Sequence, residues 1–371
     1  MVKRLGKVTS EYIRELSESI PLFVLVLGTT DTSLIPGITV AGASPELTHY
    51  TPAADAEYLV NGKCDVIPVP PMTPDGKPTP ALISRACVKM LDIPVITVVS
   101  GARVKPRAVP YVDLCGEPGR DIRTGQALSR DVVKRIIANS EKLGRELARL
   151  SRFLVIGESI PAGTTTAMST MVALGYNAWG RVSSASPSNP VELKKSVVRE
   201  ALRRADLLER PTGDAIEAVS RVGDPVIPAV AGVAAGALRS GSRVLLAGGT
   251  QMCAVVAVFK HMYGEPDPDR LAIGTTRWIV EDKSADMVGL LSEIWPNFAL
   301  LSSEFNLGES RFEGLRAYEQ GFVKEGVGMG GLLCVTELRG VPRSVILETV
   351  EKLYEKELLE PSKALGLTSS A

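Results

Sequence analysis

Four runs of consecutive apolar residues punctuate the chain, and each closes on glycine: LFVLVLG at 22–28, VITVVSG at 95–101, FLVIG at 153–157 and RVLLAGG at 243–249. RLAIGTT at 270–276 is a fifth of similar make. The runs are short, continuous and rich in Val, Ile and Leu, with no alternating polar face. That is the pattern of strands buried on both sides, as in a parallel sheet. Between them the period changes to a helical one, in segments 79–91, 129–150, 190–208, 213–221 and 225–239. Strands alternating with helices predict an α/β fold, a parallel Rossmann-like sheet with helices on both faces and right-handed crossovers. Amphipathic helices at about 9–19 and 343–358 predict a smaller helical domain built from the termini (1–20 and 340–371) beside an α/β domain over 21–339.

Residues 28–80 break this rhythm. They are rich in Gly and Pro (IPGITVAGASPEL, VPPMTPDGKPTP) and show little helical period. The stretch is too long for an idle loop, so it reads as an ordered lobe or lid. In an open parallel sheet ligands bind at the carboxyl ends of the strands. Three of the glycine-terminated ends run into hydroxyls or amides, Thr29-Thr30, Thr250-Gln251 and Thr275-Thr276. They read as one rim around one cleft, or as ordinary loop chemistry.

Composition narrows the partners. Hydrophobic residues make up 45% of the 371, which marks a chain able to bury a large core. Lys and Arg together number 42 and Asp and Glu 42, so no bulk charge draws the chain to nucleic acid. No apolar run approaches the roughly 18 residues that cross a bilayer, which predicts no membrane partner. No basic start followed by a small-residue cleavage pattern reads as a signal peptide. Five scattered Cys without a CxxC suggest reduced thiols and a cytoplasmic protein. Two His, His49 and His261, make a His-based zinc site improbable on composition, and the expectation is no metal.

Three segments carry candidate chemistry. In FLVIGESIPAGTTTAM (153–168) a strand, Gly157, one carboxylate, a bend at Gly163 and Thr164, Thr165 and Thr166 describe a helix start that presents free N–H groups to an anion. The threonines can cap the helix or hold phosphate. The spacing is not that of a Walker A loop, and no Lys follows Gly163. In FVKEGVGMGG (322–331) Glu325 stands before Gly326 and Gly328, superficially like a dinucleotide loop but without a preceding strand. Its apolar neighbours suit a base of raised pKa, and a helix-capping Glu is the alternative. On the helix in SPSNPVELKKSVVREAL (186–202), Lys194 lies near the apolar stripe, either snorkelling or pairing with an anion.

Taken in order, these segments resemble the nicotinate-nucleotide–dimethylbenzimidazole phosphoribosyltransferase family, and more closely its archaeal branch. IGESIPAGTTTA resembles that family's Gly-Glu-Met-Gly-Ile-Gly-Asn-Thr-Thr-Ala. VGDPVIPAVAGVAAGAL (222–238) resembles its Gly-Gly-x-x-Ile-Ala-x-x-Ala-Gly helix, and KEGVGMGG its Leu-Gly-Glu-Gly-Ser-Gly-Ala. LKKSVVREAL resembles its Lys-bearing helix, and the order holds over about 90–340. GTTDTSLIPGITVAGASPELTHYTPAADAEYL and GTTRWIVED look typical of the archaeal branch.

The resemblance implies transfer of 5-phosphoribosyl from nicotinate mononucleotide to a benzimidazole-type, other azole or purine base, for the cobalamin lower ligand. The products are an α-riboside 5′-phosphate and nicotinate. It implies Glu325 as general base, Glu158 as the second site carboxylate and Lys194 beside the phosphoribosyl group. Gly157, Gly163 and Thr164 to Thr166 fall in the phosphate turn, Gly248 and Gly249 in a rim loop, and Gly326 and Gly328 flank the base. It implies a homodimer and no cofactor. The chain departs from the pattern by one extra residue after Glu158, by Pro161 and Ala162 in the bend, by Thr164 in place of Asn, and by LLAGGT without the usual Asp. Those departures motivate the alternative of a non-catalytic nucleotide-binding or sensor protein.

Overall fold

The computed structural model describes residues 2–42, 45–73 and 75–367. Parts of the 28–80 lobe (43, 44 and 74) and of the terminal helical segments (1 and 368–371) therefore lie outside the described residues. Strands follow the apolar runs. They are β1 Lys3–Gly6, β2 Leu22–Gly28, β3 Val95–Gly101, β4 Tyr111–Asp113, β5 Phe153–Ser159, β6 Arg243–Ala247, β7 Leu271–Thr276 and β8 Ala299–Ser303. They make one sheet in the order β1-β8-β7-β6-β5-β2-β3-β4, parallel except for β1 on β8. The five strands expected from the apolar runs form its body, and β2 and β5 are buried at every position.

Three strands were not expected. β1 is polar, β4 is an exposed three-residue edge, and β8 is short. β5 also runs two residues beyond its apolar run, because β2 pairs with it as far as Val26–Glu158 and Leu27–Ser159. The first site carboxylate therefore sits on the last rungs of a central strand.

The early helices are α1 Ser10–Glu18, α2 Pro45–Thr48, α3 Thr51–Asn61, α4 Ala81–Leu91 and α5 Arg130–Leu147. Then come α6 Gly163–Ala173, α7 Val191–Arg204, α8 Ala215–Val222, α9 Val226–Arg239 and α10 Gln251–Tyr263. The last are α11 Arg277–Val280, α12 Met287–Ile294, α13 Glu313–Arg316, α14 Met329–Leu338, α15 Arg343–Leu353 and α16 Glu360–Ala364. α9 lies on β2, β3, β5 and β6 with α5 outside it, while α14 lies on β5 to β8 with α1 and α4 against it. α5 starts where Ser129 accepts the Val132 N–H, and its apolar stripe faces α9. α9 and α14 are apolar almost all round because each is enclosed between the sheet and other helices. α15 packs on α4, and Arg85 of α4 makes a two-pronged pair with Glu357 at 2.7 and 2.9 Å. Among the described residues no helix is long and apolar enough to cross a membrane.

This topology has one switch point. From β2 the sheet grows outward to β3 and β4, and from β5 it grows the other way to β6, β7 and β8. Connections leaving these two neighbours diverge, which opens a crevice beyond their carboxyl ends.

Candidate functional site

A cavity of about 570 Å³ occupies that crevice. One wall is the sheet's carboxyl edge and the turns that leave it, with Glu158, Gly163, Thr164, Gln251, Glu325 and Gly326. The other is the lobe, where Ile38, Val40, Ile67, Val69, Pro70 and Pro71 give an apolar surface. Among the described residues, the acids on the lining are Asp55, Asp75, Glu158 and Glu325 and the base is Lys77.

Glu158 is 4% exposed. Burial pushes its carboxyl up to about 8, helped by the nearby Asp224 and Asp55 carboxyls and opposed by the Ile160 N–H. Glu325 is likewise buried and pushed up to about 8; the Gly330 N–H, 2.9 Å from Oε1, works against that rise, and Glu158 adds to it. Two carboxyls on separate elements thus face one cavity and hold their protons above the ordinary carboxylate range. The Gly330 contact also makes Glu325 a partner of the first turn of α14, so the helix-capping reading describes one part of its surroundings.

The glycines after Glu325 serve close packing. A Cβ on Gly157 would lie 2.8 Å from Gly328 Cα, and one on Gly330 would lie 2.3 Å from the Thr275 carbonyl carbon. Only bare backbone lets the start of α14 seat against the ends of β5 and β7. The Val327 N–H then donates to the Glu158 carbonyl at 3.0 Å, tying the two carboxylate-bearing segments together. Among the described residues no strand leads directly into this turn, since helical turns separate it from β8, which sets it apart from a dinucleotide fingerprint.

The three threonines take three different positions. Thr164 lines the cavity at the start of α6. Thr165 Oγ1 is buried with no hydrogen-bond partner among the described residues. Thr166 Oγ1 donates to Asp224 Oδ2 at 2.5 Å, and Asp224 in turn accepts the Val226 and Ile227 N–H groups at the start of α9. No threonine side chain caps α6; its N-cap is Ala162 in the left-handed region at φ 63°.

Lys194 does not snorkel. It is 1% exposed, and its Nζ donates to the Ser183 carbonyl at 2.6 Å and to Asn189 Oδ1 at 3.0 Å, behind the cavity wall that Ser183 and Ser184 form. Burial, with the Lys324 ammonium nearby, pulls its amine down to about 7. Gly248 and Gly249 lie just beyond β6; the Gly248 N–H bonds the Gly274 carbonyl, and a Cβ on Gly249 would come 3.6 Å from the Glu325 Cβ. Of the predicted rim, Gln251 reaches the cavity lining. The threonines instead brace loops: Thr29 Oγ1 accepts the Arg103 N–H, Thr250 Oγ1 accepts the Ser183 N–H, and Thr276 Oγ1 donates to the Lys324 carbonyl.

Asp55 was not picked out from the sequence. It projects from α3 of the lobe, is 4% exposed, and accepts hydroxyl bonds from Thr79 (2.6 Å) and from Ser159 (2.7 Å), the residue after Glu158. Burial raises it to about 6 against the pull of both hydroxyls. It is a direct side-chain link between lobe and sheet edge. At the lobe's tip Lys77 lies over the Phe322 ring, 4.3 Å from its centre.

Comparison with known proteins bears on both fold and site. Residues 82–263 match the family model described as Phosphoribosyltransferase. The chain is 54% identical over 336 residues to a UPF0284 protein of Pyrobaculum calidifontis, covering 90% of this chain and 96% of the relative. It is 49% identical over 335 residues to a UPF0284 protein of Sulfurisphaera tokodaii, covering 90% and 93%. Among solved structures it is similar to the nicotinate-nucleotide-dimethylbenzimidazole phosphoribosyltransferase of Thermus thermophilus. That match has a TM-score of 0.60 at 16% identity, over 97% of this chain and 93% of that one.

Proposed function

This chain belongs to the UPF0284 family and carries a phosphoribosyltransferase-type domain, and from that premise we propose that it transfers 5-phosphoribosyl from nicotinate mononucleotide to a benzimidazole-type or related base. The products are an α-riboside 5′-phosphate for the cobalamin lower ligand and free nicotinate. The observation that carries the reading is the pair of buried carboxyls, Glu158 and Glu325, facing one cavity at the topological switch point.

The acceptor's ring nitrogen attacks the anomeric carbon as the bond to the pyridinium nitrogen breaks. The bonding electrons leave with nicotinate, whose nitrogen becomes neutral, so the leaving group needs no acid. One displacement inverts that carbon, so a β-nucleotide gives an α-riboside. The proton on the acceptor's other nitrogen passes to Glu325, whose raised pKa gives it the basicity for this work near neutral pH. Glu158 lies beside the sugar and, when ionised, stabilises oxocarbenium character. Gly163 and Thr164 receive the phosphate on the N-terminal end of α6, where the helix field favours an anion, while Gly157, Thr165 and Thr166 support that turn from behind the lining. Lys194, partly protonated near neutral pH, adds positive charge from behind the Ser183 wall. Gly326 lines the cavity, and Gly248, Gly249 and Gly328 let the backbone behind it pack closely.

Incubation with nicotinate mononucleotide and a panel of benzimidazoles and purines tests this directly. Base-dependent nicotinate release is expected. Tight nucleotide binding without release for any base would overturn transfer in favour of a binding or sensor role. The same resemblance leads us to propose a homodimer, to be read by sedimentation equilibrium.

A further inference from the structure

The turn that carries Glu325 has an unusual backbone. Val323, Lys324 and Val327 stand at φ 64°, 58° and 55°, interleaved with Gly326 at 142° and Gly328 at 71°. Glycine enters this region freely. Branched and long side chains persist there only where their surroundings hold them.

What holds them is a buried polar node whose ion pair, Lys324 and Asp282, lies behind the cavity lining. Lys324 Nζ lies 2.7 Å from Asp282 Oδ2, with the two side chains 4% and 7% exposed. The same carboxylate oxygen accepts the Ser183 hydroxyl at 2.5 Å, while Asp282 Oδ1 accepts the Ser284 N–H and hydroxyl at 2.9 and 2.7 Å. The Lys324 carbonyl accepts Thr276 Oγ1 at 2.6 Å, and the Val323 N–H donates to the Ala185 carbonyl at 2.8 Å. One carboxylate therefore joins two cavity walls, the Ser183–Ala185 segment and the turn ending in Glu325. A buried ion pair is a poor device for stability alone, since apolar residues of equal volume fold at least as well in many settings. Its place here, one residue before Glu325, fits a job of position.

We propose that Asp282 is a positioning residue for Glu325. Through Lys324 it fixes the left-handed turn at 323–327, through Ser183 it fixes the facing wall, and together these hold the Glu325 carboxyl in the cavity. The assignment rests on the reading of Glu325 as the base.

Two variants test it in the full chain. Asp282→Asn keeps the hydroxyl partners and removes the charge, but it leaves Lys324 buried and uncompensated and lowers the melting temperature. Asp282→Asn with Lys324→Met removes both charges at similar volume, so the melting temperature recovers. In that double variant kcat for nicotinate release is expected to fall about tenfold to a hundredfold, with KM for the nucleotide within about twofold. Amide exchange in peptides covering 323–331 is expected to quicken roughly tenfold while β5 peptides stay protected. A double variant with wild-type kcat and wild-type exchange at 323–331 would show the pair to be merely structural and overturn the proposal. If the wild-type chain itself releases no nicotinate, the functional reading fails, and the exchange measurement still decides whether Asp282 orders the turn.

Discussion

The two walls of the cavity are built on opposite principles. The sheet edge is a packed seam in which glycines bring β5, β7 and α14 to backbone contact and the segments bearing the two buried carboxyls are tied by a backbone hydrogen bond. The lobe is proline-rich, short of regular structure between 62 and 80, and apolar on its inner surface. A seam of that kind keeps reacting groups in register, because nothing in it can shift by a methyl group without a clash. A wall of loops changes shape with few consequences for the core. On the proposed reading, chemistry belongs to the first wall and choice of base to the second.

The sharpest way to break this division is Glu325→Ala. It is expected to lower kcat for nicotinate release about 10²- to 10⁴-fold while leaving the melting temperature close to wild type. Unchanged turnover would remove Glu325 from the base role.

Next is a pH test of the seam. Burial holds Glu158 at about 8 against an ordinary value of 4.5, so between these values the folded chain keeps a proton that the unfolded chain has lost. Stability from this group is therefore intact at low pH and declines as pH rises through that window. Glu158→Gln is expected to gain on wild type between pH 5 and pH 9, by on the order of a few kcal/mol in urea unfolding. Parallel pH profiles for the two proteins would contradict the burial of that charge.

Gly157→Ala places a methyl 2.8 Å from Gly328 Cα and is expected to cost about 1–3 kcal/mol of unfolding free energy. An unchanged urea midpoint would mean that the seam is looser than described. The smallest effect falls on the lobe. Ile67→Ala is expected to raise KM for the acceptor base about tenfold while leaving KM for the nucleotide and the melting temperature near wild type. Equal changes in both KM values would erase the division of labour between the walls.

Legibility in the sequence followed the same divide. The central strands could be read because burial on both faces makes their apolar runs continuous, and Glu158 and Glu325 stood out as single carboxylates among glycines and apolar residues. β1, β4 and β8 escaped because edge position or brevity removes the continuous apolar signal. α10 and α14 escaped because enclosure on all sides erases helical periodicity. Asp55 was hidden for the same reason: α3 buries both its acids, Asp55 and Glu57, with most of its length, so no polar face marks it as a helix. The buried partnership of Lys324 and Asp282 links positions distant in the chain, and neither residue type alone announces it.

The docking of α14 under β5 also orders events in the life of the chain. β2, β3 and β5 can pair early, since all belong to the first half, but the second carboxylate and the helix that covers β5 to β8 arrive only near the end of synthesis. Until then an apolar sheet face lacks its cover, which is the circumstance in which nascent chains aggregate or recruit chaperones. A chain stopped before Met329 would own all eight strands and both site glutamates, but not the helix that seats the second of them and shields the sheet face from water.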